Sequence, residues 1–144
     1  MIKELGDAIV ARLESTGVFR RVERAVTGQT LNNPPVAVVI LVRDAAEGDG
    51  KTQAAESRRL LTWRIVVIGH ALPHDRGRAG LDECIDATRR AFHQWIARPE
   101  GGCLPAEIGD IVLVDEDDNR NLLEYAADLK ITVFPRVWDR QTKP

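Results

Sequence analysis

Two histidines stand four residues apart, His70 and His74. On a helix, this spacing would place both imidazoles on one side, as in many zinc sites. Gly69 precedes the pair and Pro73 lies inside it, which indicates a turn instead of a helix. No pair of cysteines or carboxylates nearby completes a ligand set, and only Asp75 is close in sequence. We therefore expect surface-loop histidines and no metal site.

A run of four acids, from Asp115 to Asp118, could suggest a calcium loop. Calcium sites of the helix-loop-helix type need alternating oxygen ligands, a central glycine and a terminal glutamate. Glu124 lies downstream, but no glycine separates it from Asp115. The sequence therefore predicts a solvated acidic turn over residues 115–119.

Gly50, Lys51 and Thr52 match the end of a phosphate-binding loop. The first glycine of that motif is missing, because Ala45 occupies its position, and the segment leads into a strand where the motif requires a helix. Neither serine fits a nucleophile elbow, and neither cysteine has an activating neighbour. We therefore expect no catalytic residue and no cofactor. Carboxylate pairs that meet only in the folded chain stay open.

The 20 basic and 22 acidic residues nearly cancel, which leaves a net charge of -2. No uniform field is therefore available to attract nucleic acid or an anionic membrane. Basic residues cluster near the first strand and around a long loop, but acids interleave with them and aromatic partners are few, which favours solvated or inter-subunit roles. We predict no sequence-specific nucleic-acid partner. The candidate interface residues are Arg43, Lys51, Arg58, Arg59, Thr62 and Arg64.

The two cysteines form neither a disulfide framework nor a metal-binding pattern, which favours reduced thiols in a cytoplasmic protein. No apolar run reaches the roughly 18 residues of a membrane span. The first residues are amphipathic and acidic, unlike a signal peptide. We therefore expect a soluble chain with no membrane partner.

The length of 144 residues and the hydrophobic content of 44% fit one domain with one core. Hydrophobic periodicity and turn residues predict the order of elements. They are a helix opening the chain and ending before Gly17, a weak edge strand over 18–26, strands over 36–42 and 60–68 around a long loop at 44–57, a helix over 81–96, a core strand over 111–114 and a strand over 129–137. The predicted class is α+β, a single domain with an antiparallel or mixed four- to five-stranded sheet packed with two helices.

The strands over 36–42 and 60–68 carry apolar residues on both faces, but only two helices are predicted to cover them. If both helices lie on one face, a second copy of the chain is the simplest cover for the other. The alternatives are that the helices divide between the faces or that the long loop folds over the sheet.

Three stretches together resemble phage tail terminator and tail-completion proteins, including those of Mu-like prophages. They are the N-terminal helix Ile-x-x-x-Gly-Asp-Ala-Ile-Val-Ala-Arg-Leu, a hairpin with a Trp63-Arg64 strand, and the helix from Leu81 to Trp95. The likeness spans nearly the whole chain as an order of elements and a pattern of core residues, without a catalytic motif.

This resemblance implies a non-enzymatic subunit of a ring, usually a hexamer. Such a ring binds the last ring of tail-tube protein, stops tube polymerisation and offers a surface to the head-completion protein. It implies a protein that is cytoplasmic during assembly and then part of the virion tail, with the 44–57 loop becoming ordered on docking. The competing classes are a small cytosolic enzyme and an unrelated binding module, each with its site at the sheet edge.

Overall fold

The computed structural model describes residues 1–25, 34–47, 58–70, 80–119 and 121–142, with side chains as far as residue 139. Within these residues the chain forms three helices and six strands, more than the sequence predicts. In chain order they are α1 (Ile2–Glu14), β1 (Arg21–Glu23), β2 (Val36–Ala46), β3 (Arg59–Gly69), α2 (Leu81–Phe92), β4 (Glu107–Ile108), β5 (Val112–Asp117), β6 (Leu122–Val133) and α3 (Pro135–Thr142).

All six strands belong to one mixed sheet, which confirms the predicted α+β class. Its order is β1-β2-β3-β6, and the short strands β4 and β5 both pair with the far side of β6. Only β1 and β2 are parallel, and the other pairs are antiparallel. The long strands β2, β3 and β6 therefore form the centre of the sheet.

The main core lies between one face of the sheet and the helices. Leu5, Ile9 and Leu13 of α1 are at most 1% exposed, which confirms the amphipathic helix predicted at the start of the chain. The same core takes the odd-numbered side chains of β3, as the alternation predicts, and the apolar stripe of α2. Trp63 is fully buried at its centre. Burial of this apolar area is the main force that holds the helices to the sheet.

The second helix ends earlier than its apolar pattern predicts. Helix α2 stops at Phe92, and Gln94 then takes a left-handed backbone conformation with φ of 53°. Trp95 still packs against the core, and its ring contacts that of Phe92 edge to face, with 5.3 Å between the ring centres. Ile96 leaves the stripe and is 50% exposed, because the chain has already turned away from the helix axis.

The last predicted strand, over 129–137, is wrong at both ends. Strand β6 begins at Leu122 and stops at Val133, and Pro135 starts α3. Proline suits a first helical position because it has no N–H to leave unpaired. Trp138 on α3 is only 3% exposed, and the Arg98 guanidinium lies 4.2 Å from its ring centre. No helix in the described part of the chain is long and apolar enough to cross a membrane.

Candidate functional site

The sheet face opposite the three described helices carries the even-numbered side chains of β3 and β6; we call it the helix-free face, a name that refers to the described residues only. None of the three described helices contributes to the apolar cluster on this face. The strand register sets its side chains in rows across the sheet. One row is Val38, Val66, Ala126 and Val112, the next is Ile40, Arg64 and Asp128, and the last is Arg43, Thr62, Lys130 and Glu107.

One half of the helix-free face is apolar and already buried within a single chain. Val36 and Val38 are fully buried, Ile68 is 2% exposed and Leu122 is 4% exposed. The sequence analysis predicts that a second copy of the chain covers any apolar strand surface that the helices leave exposed. Because this half is covered within one chain, that reason for self-association does not apply to it.

The other half of the helix-free face is polar, and it holds three of the predicted interface residues. Arg43 and Arg64 are exposed, whereas Thr62 between them is only 8% exposed. Arg64 Nε lies 3.4 Å from Asp128 Oδ1, and both side chains are close to half exposed. An ion pair this exposed contributes at most about 1 kcal/mol, so the charges remain available to a partner.

Arg58 and Arg59 lie elsewhere, at the end of the β2–β3 hairpin where the connecting loop begins. Arg59 Nε donates to Asp44 Oδ1 at 2.6 Å, and Arg58 Nε lies 3.0 Å from Glu47 Oε2. Each arginine therefore forms an ion pair with an acid at the end of β2 or directly after it. Lys51, with the Gly-Lys-Thr sequence around it, lies outside the described residues.

The edge of the sheet beside β6 is split, and it differs most from the sequence prediction. The chain pairs as β4, keeps one more hydrogen bond to β6 from the Gly109 N–H to Asp128 O at 2.9 Å, then leaves the sheet and pairs again as β5. The predicted core strand over 111–114 is instead an exposed edge. Val112, Leu113 and Val114 are 52%, 43% and 51% exposed. A short continuous apolar run is typical of a buried strand, and here that pattern misleads.

The predicted acidic turn over 115–119 is only partly confirmed: Asp118 and Asn119 form a turn, but the three acids before them belong to this edge. Asp115 and Glu116 continue β5 after a bulge, and Asp117 ends it. Asp115 faces Glu124 of β6 directly across the ladder. Partial burial, together with the negative charge of Asp115, raises the pKa of the Glu124 carboxyl. Like charges in facing positions destabilise a sheet, so this edge carries a local electrostatic cost.

A groove of about 700 Å³ runs along the helix-free face between the split edge and β3. Its apolar floor includes Val66, Val112, Val114 and Ala126. Its charged side chains are Glu107, Asp110, Glu124 and Asp128 against Arg64 and Lys130. With four acids and two bases, the groove is net negative and suits an extended basic segment.

The remaining candidates for chemistry lie apart from this groove. His70 Nδ1 lies 2.8 Å from Asn121 O, and His74 is outside the described residues. Among the residues with a described position, no group of three or more His, Cys, Asp or Glu could hold a metal ion. Burial raises the pKa of the Cys84 thiol to about 12, so it stays protonated and unreactive at neutral pH.

Comparison with known proteins adds no relative: no protein-family model and no curated protein matches this chain.

Proposed function

We propose that this chain is a structural subunit that assembles into a ring at the end of a phage tail tube. The exposed aliphatic edge strand carries the proposal. Val112, Leu113 and Val114 are each about half exposed on a strand with one side unpaired in the described sheet. Soluble monomers avoid such edges because they recruit other strands. In a subunit that joins copies of itself, such an edge can serve as the contact.

The sequence resemblance to tail terminators supports the same role. In that role the ring would cap the tail-tube protein, and a head-completion protein would join on the other side. If the strand edge is used between subunits, the polar half of the helix-free face remains free for such a partner. Arg43, Thr62 and Arg64 would then contact the tube or the head-completion protein.

The test is assembly with and without a phage tail-tube protein. We would measure solution mass by light scattering from micromolar concentrations upward, and image the particles by negative-stain electron microscopy. The expected result is a ring, formed alone or on the tube, and tubes that stop growing when the chain is added. A chain that stays monomeric and leaves tube length unchanged would contradict the proposal.

The groove on the helix-free face favours a second candidate, a peptide-binding module with its site at the sheet edge. Its apolar floor and net negative wall fit an extended segment with basic side chains. In this case the monomer would bind a lysine-rich peptide saturably, and Glu107→Gln with Asp110→Asn would weaken binding. No ring would form under any of the conditions above.

A further inference from the structure

We propose that the β5 edge binds an extended strand of a partner protein, with an aliphatic centre and basic residues on both sides of it. The added strand continues the sheet beyond β5. This inference rests on the proposed function, in which the partner is the tail-tube protein, and it names the contact that holds each subunit to the tube. The ring would then form on the tube, with one tube strand at each β5 edge.

The backbone of β5 has one side without a strand in the described sheet. Its other side pairs with β6 from Val112 to Asp117. No described strand lies beyond it. An extended peptide can add to such an edge through main-chain hydrogen bonds, which supply affinity, while its alternating side chains supply specificity. The side chains around β5 therefore indicate which strand it would select.

Aliphatic side chains of β5 lie on both faces of the sheet. Val112 pairs with Ala126 and lines the groove on the helix-free face, and Val114 lines the same groove. Leu113 pairs with Tyr125, which packs against the helix-side core, so Leu113 lies on the other face. Successive side chains of an added strand also point to opposite faces. Three consecutive aliphatic residues in that strand would therefore cover all three exposed side chains and exclude water from them.

Acids flank the three aliphatic residues at both ends. Asp110 precedes them, Asp115 and Glu116 follow them, and all three acids are exposed. From residue 108 to residue 119 the sequence has five acids and no base, and the next base, Arg120, lies outside the described residues. Opposite charges in facing positions stabilise a sheet. The strand that fits this edge is therefore basic on both sides of its aliphatic centre.

The same acids disfavour the simplest alternative occupant, the β5 edge of a second copy related by a two-fold axis. Antiparallel pairing centred on Leu113 places Glu116 of each copy opposite Asp110 of the other. Sliding the register by one residue in either direction replaces Glu116 with Asp115 or Asp117, so Asp110 still faces an acid. Like charges in facing positions are destabilising, and each two-fold pair would contain two of these contacts. The β5 edge therefore fits a basic strand better than its own copy.

The test begins with a synthetic peptide in which two lysines flank the sequence Val-Ile-Val at each end. Its binding to the full chain is measured by fluorescence anisotropy at physiological ionic strength. A control peptide carries methyl groups on its central backbone nitrogens, which removes those hydrogen-bond donors but keeps every side chain and charge. Strand addition depends on these donors, so the control peptide should bind roughly a hundredfold more weakly.

Two matched pairs of substitutions test the charge argument. Asp110→Asn with Glu116→Gln removes one acid at each end of the aliphatic residues and should weaken binding of the unmethylated peptide roughly tenfold. Glu83→Gln with Asp86→Asn makes the same chemical changes at exposed positions of α2, outside β5 and its groove. Because salt screens distant exposed charges, this control should change binding by less than about twofold. Circular dichroism and thermal unfolding must match the wild type before affinities are compared.

The outcomes separate this contact from the proposed function. Equal binding of the two peptides would overturn strand addition, and equal losses for the two charge variants would overturn the basic partner. If the tube supplies the strand, saturating peptide should let stopped tubes grow again. Tubes that stay stopped while the peptide is bound would overturn the contact and leave the tail role standing. The expected peptide pattern in a chain that never changes tube length would support the contact and refute the tail role.

Discussion

Replacing Gly6 with alanine should destabilise the protein, although Gly6 lies inside a helix where alanine normally helps. Gly6 is buried on α1 beneath the guanidinium of Arg24. That guanidinium lies 5.1 Å from the ring centre of Trp63, and Arg24 Nε donates to Val39 O at 3.3 Å. A methyl group on Gly6 would overlap the guanidinium, so Arg24 must move.

The size of the effect follows from two opposing contributions. Glycine to alanine inside a helix stabilises by about 0.8–1 kcal/mol. Arg24 is an exposed residue, so displacing it loses a cation–π contact worth about 0.5–1 kcal/mol and a hydrogen bond from a charged donor worth about 1.5 kcal/mol. The losses exceed the gain, so Gly6→Ala should lower the free energy of unfolding by about 1–2 kcal/mol.

The assay is a double-mutant cycle in which the free energy of unfolding in urea is measured for each variant. Circular dichroism monitors the unfolding, at one protein concentration throughout. In an Arg24→Ala background the guanidinium is gone, and Gly6→Ala should then stabilise by about 0.8 kcal/mol. Ala11→Gly, at an exposed position of α1, calibrates helix propensity and should cost about 1 kcal/mol in both backgrounds. Equal effects of Gly6→Ala in the two backgrounds, within about 0.5 kcal/mol, would refute the reasoning.

Three further predictions concern the core, the acidic edge and the thiols. Phe92→Ala, at a fully buried ring, should lower the free energy of unfolding in urea by about 3–5 kcal/mol, whereas Ile96→Ala should change it by less than about 0.5 kcal/mol. Similar losses for the two variants would show that Ile96 is also buried and would contradict the end of α2 at Phe92. Glu124→Gln should raise the melting temperature at neutral pH, because a pKa raised on folding makes the ionised carboxylate a cost. The gain should vanish as the pH falls below the unfolded pKa, where the native glutamate is also protonated; a gain that persists in acid would contradict this cause. Iodoacetamide at mildly alkaline pH should alkylate Cys103 but not Cys84 in the native protein, as checked by mass spectrometry, and both after unfolding.

Local patterns were sufficient for the elements that face the helices. The spacing of Leu5, Ile9 and Leu13 predicts α1, and their burial confirms it. The alternation in β3 correctly assigns Trp63 to the core face and Arg64 to the opposite face. Periods of 3.6 and 2 residues arise from backbone geometry, so they can be read without knowing the partner elements.

Local patterns failed where a residue's surroundings depend on distant parts of the chain. The aliphatic run Val112–Leu113–Val114 has the composition of a core strand, yet it lies at an edge, because β6 pairs its other side with β3 and no described strand lies beyond β5. Pro135 extends an apparent alternation in sequence, but in space it begins a helix that buries Trp138. Sequence spacing does not specify which strand is last in a sheet.

The sequence by itself determined the α+β class, the first helix, the two-faced central strands and the near balance of charge. Tertiary structure alone decided that all three described helices share one face, that Arg58 and Arg59 meet acids of the neighbouring strand, and that the aliphatic and acidic residues of β5 share one exposed edge. The physical reason is that periodicity is set by contacts within a few residues. Strand order, and with it the exposure of an edge, is set by pairing between residues far apart in the chain.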